Sequence, residues 1–286
     1  MGPVRTASVL LAVLLVAACA EPSPGSAPPP HAQPPADPDA LVLRVEQVGG
    51  YTTPQDLAAR LPVVSVYADG QAILQGPVPA IYPAFAWPNI QVLDLGADGV
   101  QELVDHALAA GVAEQGDLGA PHVTDMPSTR FTLRTAEGTH VREVYALTQT
   151  TGTGLTEDQL AARERLLELL TEVQDLSSAS TPEDVPESWT PAAVAAVVEP
   201  WTAREEDTAQ GLSPEPLPWP GPPLPGEPIG PGISCVVATG EVAGAVVTAA
   251  QGANMLTPWA TPDGALWSVA FRPLLPDETG CADLQA

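Results

Sequence analysis

Residues 41–74 read LVLRVEQVGGYTTPQDLAARLPVVSVYADGQAIL, and the periodicity of this stretch decides the fold. Leu41, Leu43 and Val45 alternate with Val42, Arg44 and Glu46, the two-residue repeat of a strand with one face buried. Val63 to Ala68 and Gln71 to Leu74 are two further runs separated by Asp69-Gly70. That pair accepts the positive φ angles of a type I′ hairpin turn, so the stretch predicts an antiparallel sheet.

The reading extends outward from there. Ile90 to Leu95 is another strand. From Asp98 the repeat changes to 3.6: Val100, Leu103, Val104, Ala107 and Leu108 share one helix face, Gln101 completes a capping box and Gly111 ends the helix. Phe131 and Leu133 alternate with Arg130, Thr132 and Arg134, and a turn at Glu137-Gly138 returns the chain along Val141 to Leu147. Thr156 and Gln159 form a second capping box, opening a helix to Leu176 with Leu166, Leu169, Leu170, Val173 and Leu176 on one face. Thr190-Pro191 and Pro200 bracket a short third helix.

Towards the C-terminus come strand Ile233 to Ala238, helix Val242 to Ala253 with Val242, Ala245, Val246 and Ala249 inward, and a Pro262-Asp263-Gly264 turn. Strand Ala265 to Arg272 follows, with Trp267, Val269 and Phe271 on one face. The expected fold class is α+β, mainly antiparallel sheet with packed helices, in one composite domain or two unequal lobes.

Proline marks the boundaries. Of 34 prolines, eight lie in residues 22–38 and nine in 214–231. Residues 19–40 therefore read as a Pro-rich tether, 41–210 as a sheet-and-helix domain, 211–232 as a Pro-rich linker or strap, and 233–286 as a small βαβ lobe. At ~3.1 Å per residue in a polyproline conformation, the tether could lift the folded part ~60 Å from its origin. The last segment is small for an independent core. It is expected to dock on the earlier sheet, through Trp259 and Trp267.

The N-terminus begins with the single positive charge Arg5, followed by an unbroken apolar run from Val9 to Ala18. The run is about half of the ~20 residues that span a bilayer, so residues 1–18 read as a signal peptide. Leu15-Val16-Ala17-Ala18-Cys19 resembles a bacterial lipobox. That resemblance implies cleavage after Ala18 and a diacylglyceryl group on the Cys19 thiol, which would anchor the chain to the outer face of the cell membrane. Gly2 with Thr6 also matches a myristoylation pattern, and plain secretion is the other alternative. Two or three acyl chains hold stably where one does not.

Removing Cys19 from the three cysteines leaves Cys235 and Cys281, an even number in an oxidising compartment, which predicts a disulfide between them. A cysteine metal site is the alternative, but neither a Cys-x-x-Cys pair nor clustered histidine accompanies it.

The stretch at 41–73 and the ending RPLLPDETGC at 272–281 resemble predicted actinobacterial cell-envelope lipoproteins of unassigned function. In these, a VLRVE block with paired glycines follows a lipobox and a Pro-rich tail, and an Arg-Pro-Leu-Leu-Pro-Asp-Glu segment with a cysteine closes the chain. In this sequence Ala68 stands where a glycine is more typical. The resemblance implies localisation and no catalytic chemistry.

Ten basic residues, all arginine, against 35 acidic ones give a net charge of −25. Without lysine there is no P-loop lysine, no Schiff base and no Ser-x-x-Lys machinery. The charge argues against nucleic acid as a partner, because that binding relies on Lys and Arg displacing counterions from phosphate. An anionic membrane surface repels the chain as well.

No Gly-x-Ser-x-Gly, His-Glu-x-x-His or dinucleotide-binding motif occurs. His122 with Asp125, joined by His140, is the sharpest candidate metal cluster, set against a solvated loop and strand surface; no cofactor is expected. His106 reads as an exposed helix residue, and the charges around Glu183-Asp184 and Arg204 to Asp207 as solvated loop. Tyr82, Pro83, Phe85 and Trp87 cluster in Ile81 to Pro88, either a buried plug or an exposed loop able to stack on a sugar or a peptide. The functional expectation is a non-enzymatic, lipid-anchored envelope protein that binds a ligand or protein of the envelope. The alternative is a carboxylate-based hydrolase acting on envelope material.

Overall fold

The computed structural model describes residues 31–149, 154–176 and 186–284. Cys19, Ala18, the signal peptide, most of the tether and Glu183-Asp184 lie outside the described residues. From Ala32 onward the chain is one compact unit. It is an α+β assembly of two mainly antiparallel sheets with packed helices. No helix among the described residues is long and apolar enough to cross a membrane.

The first sheet contains β1 (Leu41–Val48), β2 (Val64–Tyr67), β3 (Gln71–Gln75), β4 (Ile90–Asp94), β5 (Ser128–Thr135), β6 (Gly138–Tyr145) and β7 (Glu187–Ser188). Their order is β6-β5-β1-β2-β3-β4-β7. In β1 the register against β2 shifts between Leu41 and Leu43, a bulge that inserts Val42. The expected alternation is broken there. Val42, Leu43 and Val45 enter the core under the helices, whereas Leu41 joins Tyr67, Ile73 and Leu275 in another cluster.

The β2–β3 connection also departs from the type I′ expectation. Only Gly70 has positive φ, at 103°; Gly70 N–H donates to Tyr67 O at 3.1 Å, and Asp69 Oδ1 accepts from Gln71 N–H. This is a three-residue loop in which glycine alone takes the left-handed position.

One face of this sheet is covered by α2 (Gly96–Ala109) and α3 (Glu157–Asp175). Asp98 does not cap α2. The helix starts earlier, where Asp94 Oδ1 accepts from Gly96 N–H, so Asp98 lies in its first turn. Its end is as expected: Gly111 at φ 91° closes a Schellman motif, with Gly111 N–H to Leu108 O and Val112 N–H to Ala107 O. The Thr156–Gln159 capping box of α3 is present in both directions.

The buried face of α3 includes Leu166, Leu169, Leu170 and Val173, but also Arg163, which donates to Tyr145 O and Ala146 O. Burial lowers the Arg163 pKa. His106 on α2 clasps α3 through Glu172, at 2.7 Å. Its pKa is raised, chiefly by that hydrogen bond. The contribution of the clasp is complete below the unfolded histidine pKa and fades as pH rises through the raised folded value.

The second sheet has the order β10-β11-β8-β13-β12-β9, built from β8 (Ala193–Pro200), β9 (Leu217–Pro218), β10 (Glu227–Gly230), β11 (Ile233–Thr239), β12 (Trp259–Ala260) and β13 (Leu266–Pro273). The helix expected between Thr190 and Pro200 is instead the central strand β8. Its AVAAVV run is buried on both faces, and such a short apolar run carries no helical period. Because β8 lies between β11 and β13, residues 233–286 do not form a self-contained βαβ lobe.

The stretch 211–232 is an integral strap. It supplies both edge strands, β9 and β10, each carrying a proline where an edge tolerates one. One face of this sheet packs on α5 (Gly240–Gln251), around Trp259, Phe271 and Val269, with Trp219 of the strap stacked in. Helix α5 buries Ala243, Val246 and Ala250 and leaves Val242 exposed, a face turned by one residue from the expected one. In an alanine-rich helix two neighbouring faces are nearly equal in hydrophobicity, and packing decides between them.

The two sheets dock through α1 (Pro54–Ala59) and the C-terminal segment, and the loop before β4 adds Ala86 and Trp87 to the cluster that contains Trp259 and Trp267. Gln55 Nε2 donates to Val197 O and Ser268 O, and Ala58 packs with Ala195, Val197 and Leu274. The expected disulfide joins Cys235 to Cys281, with Cα atoms 6.0 Å apart across a sequence separation of 46. Cys281→Ser should lower the unfolding free energy by about 4 kcal/mol in the chain-entropy model. Urea unfolding of the variant against the oxidised parent measures this; equal midpoints and slopes would refute it.

Candidate functional site

Two constructions stand out, one a structural lock and the other an open cleft. The lock unites two segments far apart in the sequence, 41–73 and 272–281. Arg44 from β1 donates to Asp277 Oδ1 at 2.7 Å and to Ser65 Oγ at 3.0 Å, and Tyr67 OH donates to the same Asp277 oxygen at 2.7 Å. Beside them Arg272 Nη2 donates to Glu278 Oε1 at 2.6 Å, while Glu278 Oε2 accepts from Leu275 N–H.

Burial and the adjacent Asp277 both push the Tyr67 phenol far up. Burial lowers the Arg272 pKa against the pull of Glu278. For Arg44, burial is opposed by Asp277, Tyr67 and Glu278, and the net direction is up. The hydrogen bonds among these five side chains hold the C-terminal segment against the first sheet; Arg272 and Glu278 are nearly fully enclosed, Arg44 and Asp277 are part-buried, and Arg272 Nε is left buried without a partner.

The cleft has a different character. Its volume is about 300 Å³, and it lies where the β4–β7 edge of the first sheet, the loop before β4 and helix α5 meet. The loop is pinned to the exit of α5: Ala86 N–H donates to Ala253 O, and Met255 N–H to Ala84 O. On the other side Trp189 N–H donates to Ile90 O, which extends the β4–β7 ladder.

These backbone bonds bring Phe85, Trp87 and Trp189 to one opening. The plug and exposed-loop expectations each describe part of the loop. Trp87 leans on the second core, with its ring 6.3 Å from Phe271, whereas Tyr82 and Phe85 are 52% and 59% exposed. Asn89, Ser188, Thr190 and Gln251 supply the polar lining, and no charged side chain lines the cleft among the described residues.

Among the described residues, no three His, Cys, Asp or Glu side chains are placed to hold a metal. His140 is on β6, opposite Leu133. His122 and Asp125 belong to the loop that precedes β5, where Asp125 O accepts from Tyr51 N–H. The carboxylates whose pKa moves, Asp263 and Asp283, both move down because hydroxyl and backbone N–H groups donate to them. The stretch Arg204 to Asp207, expected to be solvated loop, instead opens a short helix, α4 (Glu205–Ala209), in which Asp207 is buried and accepts from Tyr82 OH at 2.6 Å, beside a second cleft that Glu199 also lines.

Sequence reasoning missed Trp189, Gln251 and the pairing of Arg44 with Asp277. Trp189 preceded a proline read as a helix start, Gln251 depends on the true rotation of α5, and the ion pair joins positions 233 residues apart. Comparison of the chain with protein-family models, curated proteins and solved structures returned no match.

Glu278→Gln removes the charge opposite Arg272, whose pair is 4% and 6% exposed. Breaking a buried ion pair on one side costs about 3–5 kcal/mol. The corresponding change at the exposed Arg165–Glu114 pair, Arg165→Gln, should cost under about 1 kcal/mol. Thermal and urea unfolding of both variants checks the contrast, and equal losses would refute the lock.

Proposed function

We propose that this chain is a lipid-anchored protein of the cell envelope that works by binding, without catalysis, through the cleft around Trp87 and Trp189. The carrying observation is the wall of that cleft: three aromatic rings and a few amide and hydroxyl groups, with no charged side chain. Such a wall offers stacking and hydrogen bonding, and among the described residues its lining holds no acid or base to activate the Ser188 or Thr190 hydroxyl. The Leu15 to Cys19 motif, which resembles a lipobox, supports the anchor.

A carboxylate hydrolase is the second reading, favoured by the cleft that Glu199 and Asp207 share. Against it, Asp207 is tied to the Tyr82 phenol at 2.6 Å.

Cys19→Ala should move the protein from the detergent-dependent membrane fraction to the soluble or secreted fraction on cell fractionation; continued detergent-dependent retention would remove the lipid anchor from consideration. For the binding site, solubilised envelope material should change the tryptophan emission of the full chain. Trp189→Phe should diminish that change and Asp207→Asn should preserve it. Time-dependent breakdown of the material that Asp207→Asn abolishes would favour the hydrolase instead.

A further inference from the structure

We infer that the ligand of the Trp87–Trp189 cleft is a neutral, hydroxyl-rich glycan segment. The inference rests on the binding reading above and adds the class of ligand. Charge is the first discriminator. The chain carries 35 acidic residues and a net charge of −25, so its field repels anionic polymers, and the cleft supplies no arginine to offset that field. It supplies no carboxylate to hold a cation either. A cation resting on the ring faces alone would leave the indole N–H donors of the opening unanswered, so an uncharged polar ligand uses the lining best.

Hydrogen-bonding capacity is the second discriminator. Trp87 Nε1–H and Trp189 Nε1–H donate to no protein group among the described residues, and the Gln251 side chain likewise has no protein partner there. Asn89 Nδ2 is committed to Pro77 O at 2.8 Å, which leaves its Oδ1 as an acceptor. Ser188 and Thr190 add hydroxyls. The opening thus offers donors and acceptors together, beside ring faces.

A proline-rich peptide is the obvious competitor for an aromatic groove. It presents carbonyl acceptors, but its prolines carry no N–H, so it leaves Asn89 Oδ1 and Gln251 Oε1 without donors. A sugar ring meets both requirements. Its C–H face lies against an indole, and each hydroxyl both donates and accepts. The volume of about 300 Å³ is at the lower end for small-ligand pockets. A short stretch of a longer chain fits that size, with the remainder in solvent.

The test uses the detergent-solubilised full chain, with its six tryptophans labelled for indole N–H detection by NMR. The probes are soluble neutral hexasaccharides of glucose, mannose and arabinose, with a proline decapeptide alongside. At least one hexasaccharide should shift the Trp87 and Trp189 signals saturably. Trp189→Ala, read at Trp87, should weaken that binding about tenfold. Because Trp189 also packs on the first sheet, Gln251→Ala on the exposed side of α5 serves as the second variant; it should weaken binding several-fold with unfolding unchanged.

The inference is overturned if no neutral hexasaccharide shifts these signals, or if both variants bind as the parent does. If the decapeptide alone shifts them, the glycan assignment fails while the cleft remains a binding site. If neither the probes nor solubilised envelope material perturbs them, the binding reading falls with it.

Discussion

The fold depends on a carboxylate held between two donors on the first sheet. Asp277 accepts from both Arg44 and Tyr67 through one oxygen, at 2.7 Å each. Arg44 is the second residue beyond the Val42 bulge and Tyr67 ends β2; among the described residues no acid other than Asp277 is hydrogen-bonded to either. The C-terminal segment must therefore return across the molecule to neutralise Arg44. In returning it brings Leu275 into the cluster with Leu41 and Ile73, and Cys281 to its partner Cys235. A buried pair of this kind is a poor source of net stability but a strong penalty on any arrangement that separates it. Its effect is to specify which face of the first sheet receives the second.

That specification explains the layering. Helices α2 and α3 cover one side of the first sheet, and Leu61, just past α1, with Leu275 of the C-terminal segment fills the other, so the first sheet is buried on both faces along its centre. The second sheet is likewise enclosed, by α5 and the tryptophan cluster on one side and by Ala58 and Leu274 on the other. Gln55 binds the two together without occupying a strand position, because its amide reaches backbone carbonyls of β8 and β13. The cleft opens where this enclosure ends, at the β7 edge and the last turn of α5.

Most of the first sheet and its helices could be read from the sequence because their burial is one-sided. Alternation along β5 and the stripe on α3 are direct records of a face turned to water. Reading failed where both faces are buried, as in β8, since an apolar run without contrast has no period to betray its conformation. It failed again where a local irregularity reset the pattern, at the Val42 bulge and the early start of α2. The cleft was half legible. Trp87 and Phe85 sit in a conspicuous aromatic loop, but Trp189 and Gln251 reach them only through tertiary contacts separated by more than a hundred residues of chain. The disulfide was inferred by counting cysteines, a route that needs no geometry.

The prolines of the strap have a further consequence. A row of unpaired N–H and C=O groups at a sheet margin is a template on which a neighbouring chain can add a strand. In the second sheet both margins are two to four residues long, and each contains a proline, Pro218 in β9 and Pro228 in β10, that removes a donor from the row. Molecules of this kind can be crowded side by side without their sheets growing into one another. The same residues that look like a spacer in the sequence thus set a limit on self-association.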